Sequence, residues 1–132
     1  MNTSNDFIVD SSVLSDYRFG VMISKEIFIS AVEKRRNIAV SAVTVSNIWR
    51  LDDFNRRLEI GFSSLFQFLR IVPFDYDDAR EIGHLMRGMN MDDISSLEVA
   101  CVVSLAKKNG YRIISSEPDR YTSAGVKAYT CE

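Results

Sequence analysis

Cysteine, histidine and proline are scarce in this 132-residue chain, at two, one and two residues. Two cysteines, Cys101 and Cys131, supply neither a zinc site nor a disulfide framework. A single histidine leaves no basis for histidine-rich zinc chemistry and little for a Ser-His-Asp triad. No Pro/Gly-rich linker, repeat or low-complexity tract divides the chain, and its length suits one domain over residues 1–132. Apolar runs reach only four to six residues, far short of the roughly 20 needed to span a bilayer. The N-terminus lacks a basic start leading into an apolar segment, so no membrane association and a cytoplasmic location are expected. An excess of positive charge is also missing: 16 basic residues face 18 acidic ones, net −2. That weighs against coat-like electrostatic binding of nucleic acid, but not against a carboxylate-rich metal centre beside a groove of Lys and Arg.

What is present is ordinary for a globular protein: 46% hydrophobic and 26% charged residues. Short β-branched or aromatic runs read as strands at Phe7-Ile8-Val9, Ile38-Ala39-Val40, Ile71 to Phe74 and Arg112-Ile113-Ile114, with a short fifth at Val126 to Tyr129. Between them the period becomes helical. Ile23, Ile27, Ala31 and Val32 form one stripe before the basic end Lys34-Arg35-Arg36. Val43 to Phe54 and Ile60 to Leu69 read as a helical pair, and Asp75 to Met86 as the next helix. Ser95 or Ser96 caps the last one, whose inward side carries Val99, Val102, Val103 and Ala106 and which Gly110 ends. The predicted order, β-α-α-β-α-α-β-α-α-β-β, is that of a mostly parallel, four- or five-stranded sheet covered by helices on both faces. In such sheets ligands bind beyond the carboxyl ends of the strands, where strand order reverses.

Four regions can carry chemistry there. Asp10 ends the first strand before Ser11-Ser12, and reads either as a helix N-cap or as a carboxylate aimed into the crevice. Ser41 to Trp49 is a strand running into an amphipathic helix, with Asn47 near its first turn; plain surface polarity accounts for that residue too. Asp92 and Asp93 suit a helix start, whereas Glu98 lies among Leu97, Val99, Ala100 and Cys101 and, buried there, needs a partner. Ser115, Ser116, Glu117, Pro118 and Asp119 follow the fourth strand as a loop, and their two carboxylates also suit a hard divalent cation. A nucleotide-binding doubly wound fold is disfavoured, because the first strand is followed by neither G-x-G-x-x-G nor G-x-x-x-x-G-K-[ST].

In their order these segments resemble the PIN-domain family over nearly the whole chain. Ile8-Val9-Asp10-Ser11-Ser12-Val13-Leu14 matches the family's opening strand and Asp. Ser41 to Asn47 matches its second motif, with Asn where the family has Glu. Val72 to Asp75 and the following helix also fit. Glu98, with Ala106 and Gly110 behind it, matches the third acid, and Ser115-Ser116-Glu117 the fourth, with Glu for Asp in both. The resemblance implies a three-layer α/β/α fold and a Mg²⁺- or Mn²⁺-dependent endoribonuclease acting on single-stranded or structured RNA. It also implies, as for many family members, a toxin paired with an antitoxin protein, and a homodimer. On it, Asp10, Glu98 and Glu117 are the metal ligands and catalytic residues, while Ser12, Asn47, Ser115 and Asp119 support them or meet the substrate. Asn47 and the two Glu-for-Asp exchanges depart from the family pattern, and a catalytically inactive module that binds RNA or a protein is the alternative. His84, Trp49, Phe62, Phe66 and Phe68 read as structural, the aromatics as core or dimer surface. Lys34-Arg35-Arg36 and Arg56-Arg57 read as solvated faces.

Overall fold

In a computed structural model that describes residues 6–89 and 94–131, the alternation becomes a single five-stranded sheet. The elements are β1 (Asp6–Val9), α1 (Ser11–Arg18), α2 (Met22–Val32), β2 (Asn37–Ser41), α3 (Ala42–Trp49), α4 (Arg56–Phe66), β3 (Arg70–Val72), α5 (Tyr76–Gly88), α6 (Ile94–Asn109), β4 (Arg112–Ile114) and β5 (Ala128–Tyr129). A 3-10 helix, Pro118–Ala124, joins β4 to β5. Strand order is β3-β2-β1-β4-β5 with every pair parallel. The sequence left four or five strands and a mostly parallel sheet open; there are five, all parallel.

Both faces of the sheet are covered, which is why its strands are apolar without alternation. Successive side chains still point to opposite faces. Val9, Ile38, Val40 and Ile114 pack under α1 to α4 with Val13, Leu14, Ile27, Phe28, Ile48, Phe62 and Phe66. Ile8, Ala39, Val72 and Ile113 pack on the other side under α5 and α6, with Ile82, Val99, Val102, Val103 and Leu105. Cys101 is a buried core residue there, and burial pushes its thiol up to about 11. No helix among the described residues is long and apolar enough to cross a membrane.

Helix starts and stops follow local chemistry. The Asn55 side chain accepts from the Leu58 amide and opens α4. Asp75 and Asp78 form a reciprocal capping box that opens α5. Gly110, at φ +73°, takes the left-handed position that ends α6. Several boundaries differ from the sequence expectation: the third strand is Arg70–Val72 rather than Ile71 to Phe74, the fifth is Ala128–Tyr129 alone, and the helical pair is shifted. The helix expected over Val43 to Phe54 ends at Trp49, because Phe54 folds back to pack on that indole, with ring centroids 5.2 Å apart. The helix expected from Ile60 begins instead at Arg56, its exposed first turn hiding the apolar period. Both serines proposed as caps of the last helix fall inside α6, while Asp92 and Asp93 lie outside the described residues.

Strand order runs outward in both directions from β1, whose neighbours are β2 on one side and β4 on the other. Val9 is level with Val40 and with Ile114. The residues that follow are Asp10, at the end of β1, and Ser115, at the end of β4; Ser41, also buried, is the last residue of β2. The carboxyl edge therefore concentrates three polar groups in a site closed to solvent.

Candidate functional site

Asp10 caps α1 with one carboxylate oxygen and reaches the segment after β4 with the other. Its Oδ1 accepts from the amides of Ser12 (3.1 Å) and Val13 (3.4 Å) and from the Ser12 hydroxyl, closing the first turn of α1. Its Oδ2 points the other way and accepts from the Tyr121 hydroxyl at 2.8 Å and from Arg120 Nη1 at 3.3 Å. Glu98 reaches the same place from α6. Its Oε2 accepts from the Ser11 amide (2.8 Å) and Thr44 Oγ1 (2.7 Å), and its Oε1 from Ser11 Oγ (2.7 Å) and Arg120 Nη2 (3.1 Å). Both carboxylates are at most 1% exposed.

The remaining candidates surround this pair. Ser12 Oγ lies 3.2 Å from Ser115 Oγ and accepts from the Ser116 amide, tying α1 to the end of β4. Ser115 Oγ accepts from the Glu117 amide at 2.9 Å, which turns the chain into the 3-10 helix. The Glu117 side chain stays 66% exposed, with Oε1 3.8 Å from Arg120 Nε. Asn47 shares the cleft, but its Oδ1 accepts from Arg50 Nε at 3.1 Å. Asp119 is exposed and does not line the cleft, and His84 is exposed on α5. The cleft itself, about 400 Å³, runs between Ser11, Ser15, Asn47, Asp52, Glu117 and Arg120. A larger hollow of about 620 Å³ opens beside Lys34, Arg36 and Arg70, and holds none of the candidate residues.

Charge balance explains the protonation states. Burial pushes the Glu98 carboxyl up, but hydrogen bonds from Thr44 and Ser11 and the Arg120 charge outweigh it, leaving the group below the ordinary carboxylate range. Burial lowers Arg120, and the charges of Asp10 and Glu98 more than reverse this. Tyr121 is pushed far up by burial and by the Asp10 charge, so its hydroxyl remains a donor.

A hard divalent ion takes about six oxygen ligands and several charges. Among the described residues only two carboxylates converge fully here, and each of their four oxygens already accepts at least one hydrogen bond. The guanidinium of Arg120 bridges them. Among the described residues no group of three or more His, Cys, Asp or Glu side chains is placed to hold a metal ion. The described residues, in this arrangement, do not fit a divalent centre.

Four of the site's groups were not among the residues singled out from the sequence: Ser11, Thr44, Arg120 and Tyr121. Arg120 left one usable signal. It is the sole basic residue between Ser115 and Gly125, in the loop where a buried Asp10 and Glu98 would find a counter-charge.

No protein-family model and no curated protein matches the chain. Solved structures do. A DNA-bound VapBC complex from Salmonella typhimurium superposes with a TM-score of 0.71 at 10% identity, covering 96% of this chain and 98% of that one. A toxin–antitoxin complex from Klebsiella pneumoniae gives 0.67 at 16%, covering 87% and 89%. FitAcB from Neisseria gonorrhoeae gives 0.68 at 16%, covering 95% and 97%. At such identities the likeness is one of fold, and it extends over nearly the full length of both partners. The chain thus has the PIN-like three-layer α/β/α fold that its sequence resemblance implies.

Proposed function

We propose that the protein is a non-hydrolytic PIN-like module that acts by engaging a protein partner, in the manner of a toxin held by its antitoxin. The observation that carries this reading is the saturation of Asp10 and Glu98 by hydroxyls, amides and one guanidinium. A carboxylate pair so occupied has no free oxygen with which to assemble a hydrolytic ion. The outer side of α2 supports the second half. Its inner side buries Ile27, Phe28 and Ala31, yet Met22, Ile23, Ile29 and Val32 are exposed, beside Phe19 and Val21. A helix apolar on both sides is normally covered on both. With a net charge of −2, a protein partner suits this face better than RNA phosphate.

A second reading keeps the Mg²⁺- or Mn²⁺-dependent endoribonuclease, because Asn47, Glu98 and Glu117 line one cleft above Asp10. The same apolar face would then serve a homodimer in the cytoplasm. One experiment separates the two: pure protein is incubated with single-stranded RNA and Mn²⁺ beside an Asp10→Ala control. No cleavage is expected from either. Cleavage that requires both Mn²⁺ and Asp10 would replace the first reading with the second, and Asn47→Glu would then raise it. Partner engagement is read by co-purification of wild type and of Met22→Glu/Ile29→Glu. A small protein retained by the former and lost from the latter, at equal thermal stability, is the expected result.

A further inference from the structure

We infer that Arg120 is the resident cation of the acidic site, built into the chain where a bound ion would otherwise have to balance Asp10 and Glu98. This rests on the non-hydrolytic reading and adds the residue that replaces the ion. Three nitrogens of one planar group face three carboxylates: Nη1 to Asp10 Oδ2 at 3.3 Å, Nη2 to Glu98 Oε1 at 3.1 Å, and Nε to Glu117 Oε1 at 3.8 Å. A guanidinium is suited to this, being always charged and presenting its donors in a fixed fork.

The backbone is arranged to hold it. Pro118 opens the 3-10 helix, the Arg120 amide donates to the Glu117 carbonyl at 3.0 Å, and Gly125 ends the segment at φ +67°. Tyr121, the next residue, is fully buried and anchors the same turn by its hydrogen bond to Asp10. Arg120 itself is 20% exposed, so it closes the site from the solvent side rather than pointing away from it. Two carboxylates at most 1% exposed and bridged by one guanidinium are held by that opposite charge where bulk water cannot reach them. Taking the guanidinium away leaves Asp10 Oδ2 with the Tyr121 hydroxyl and Glu98 Oε1 with the Ser11 hydroxyl as their remaining donors, each oxygen regaining acceptor capacity on the side toward Glu117, where a small divalent cation could replace the lost charge.

The test is thermal unfolding of the full chain in EDTA and in millimolar Mn²⁺, with Mn²⁺ titration calorimetry on the same samples. Wild type should unfold at one midpoint in both conditions and give no binding heat. Arg120→Ala should lose roughly 10 °C in EDTA. Much of that loss should return with Mn²⁺, and also in the metal-free double variant Arg120→Ala/Glu98→Gln. The double variant separates charge from packing, since glutamine restores no contact that the missing guanidinium made. Arg120→Gln, closer in size, gives the same comparison if the alanine variant does not fold. The assignment is overturned if wild type is itself stabilised by Mn²⁺, if Arg120→Ala and Arg120→Gln are as stable as wild type, or if Glu98→Gln recovers nothing. RNA cleavage by a wild-type protein indifferent to Mn²⁺ would sink the non-hydrolytic reading alone. Mn²⁺ binding by wild type without cleavage would sink the resident-cation assignment alone.

Discussion

Replacing Tyr121 by Phe removes one oxygen from the molecule and should cost about 2 kcal/mol, the middle of the range for a hydrogen bond to a charged group. The magnitude follows from the surroundings. Tyr121 is fully buried, its ring packs in the cluster under α5 and α6, and its hydroxyl meets Asp10 Oδ2 at 2.8 Å. Phe keeps the ring contacts, so what is lost is the donor to a buried carboxylate. Arg120 still faces Oδ2 at 3.3 Å, which keeps the penalty below that of an orphaned charge. For a chain of this size a urea slope of about 2 kcal/mol per molar is expected, so the unfolding midpoint should fall by about 1 M at an unchanged slope. Tyr76→Phe is the control. Its ring is 76% exposed, and a change within about 0.5 kcal/mol is expected. If Tyr121→Phe moved the midpoint no further than this control, the phenol would not be supporting Asp10, and the account of how the two buried carboxylates are satisfied would be wrong.

Acid should weaken the fold through Glu98. Its folded carboxyl lies below the ordinary 4.5, so its stabilising contribution is complete above that pH and is lost as pH falls from 4.5 through the lower folded value. Circular dichroism of urea unfolding between pH 7 and pH 3 should show this decline, made shallower by Glu98→Gln. Thr44→Val, which deletes the 2.7 Å donor to Oε2, should bring the folded value nearer to 4.5 and narrow the window. In the other core, Phe28→Ala should cost about 3–5 kcal/mol by urea unfolding, because the ring is buried and meets Tyr17 edge-on at 5.0 Å. The nearby exposed Phe19→Ala should stay within about 0.5 kcal/mol; equal losses at the two positions would contradict the assignment of inner and outer faces around α2.

The strands were legible because a sheet covered on both faces must be apolar along its whole length, and runs such as Phe7 to Val9 have no other use. Asp10 was legible for a related reason: a carboxylate that ends a buried strand must be capped, paired or both. Glu98 stood out because its neighbours are apolar, and burial of an ionised group demands partners. The partners themselves were harder to read. Ser11 and Thr44 donate to Glu98 across 87 and 54 residues of chain, and neither residue's type distinguishes that role from ordinary helix capping. Arg120 follows Glu117, Pro118 and Asp119, so its local context is that of an exposed polar turn. Only the 3-10 geometry, which turns Tyr121 inward and brings Arg120 over the carboxyl edge, assigns it to the site. Sequence period fixes which face of an element is buried; it says nothing about which loop cation will meet which buried acid.

The neutral residue at position 47 and the cation at position 120 are physically consistent with each other. Asp10 and Glu98 contribute two negative charges, and Arg120 returns one. Much of the remainder falls on the start of α1, whose Ser11, Ser12 and Val13 amides all point at these carboxylates and whose dipole places roughly half a positive charge there. The two buried carboxylates are then balanced to within about half a charge without an ion, and the third, Glu117, is 66% exposed and screened by solvent. A glutamate at 47 would add a further negative charge at the rim of the same cleft, with Arg50 as its immediate neighbour and the one bridging guanidinium already engaged. Asparagine avoids that repulsion and still accepts from Arg50. The departure from the family pattern at Asn47 is therefore compatible with a site balanced by its own arginine. A site balanced by a divalent ion would instead gain from the extra carboxylate.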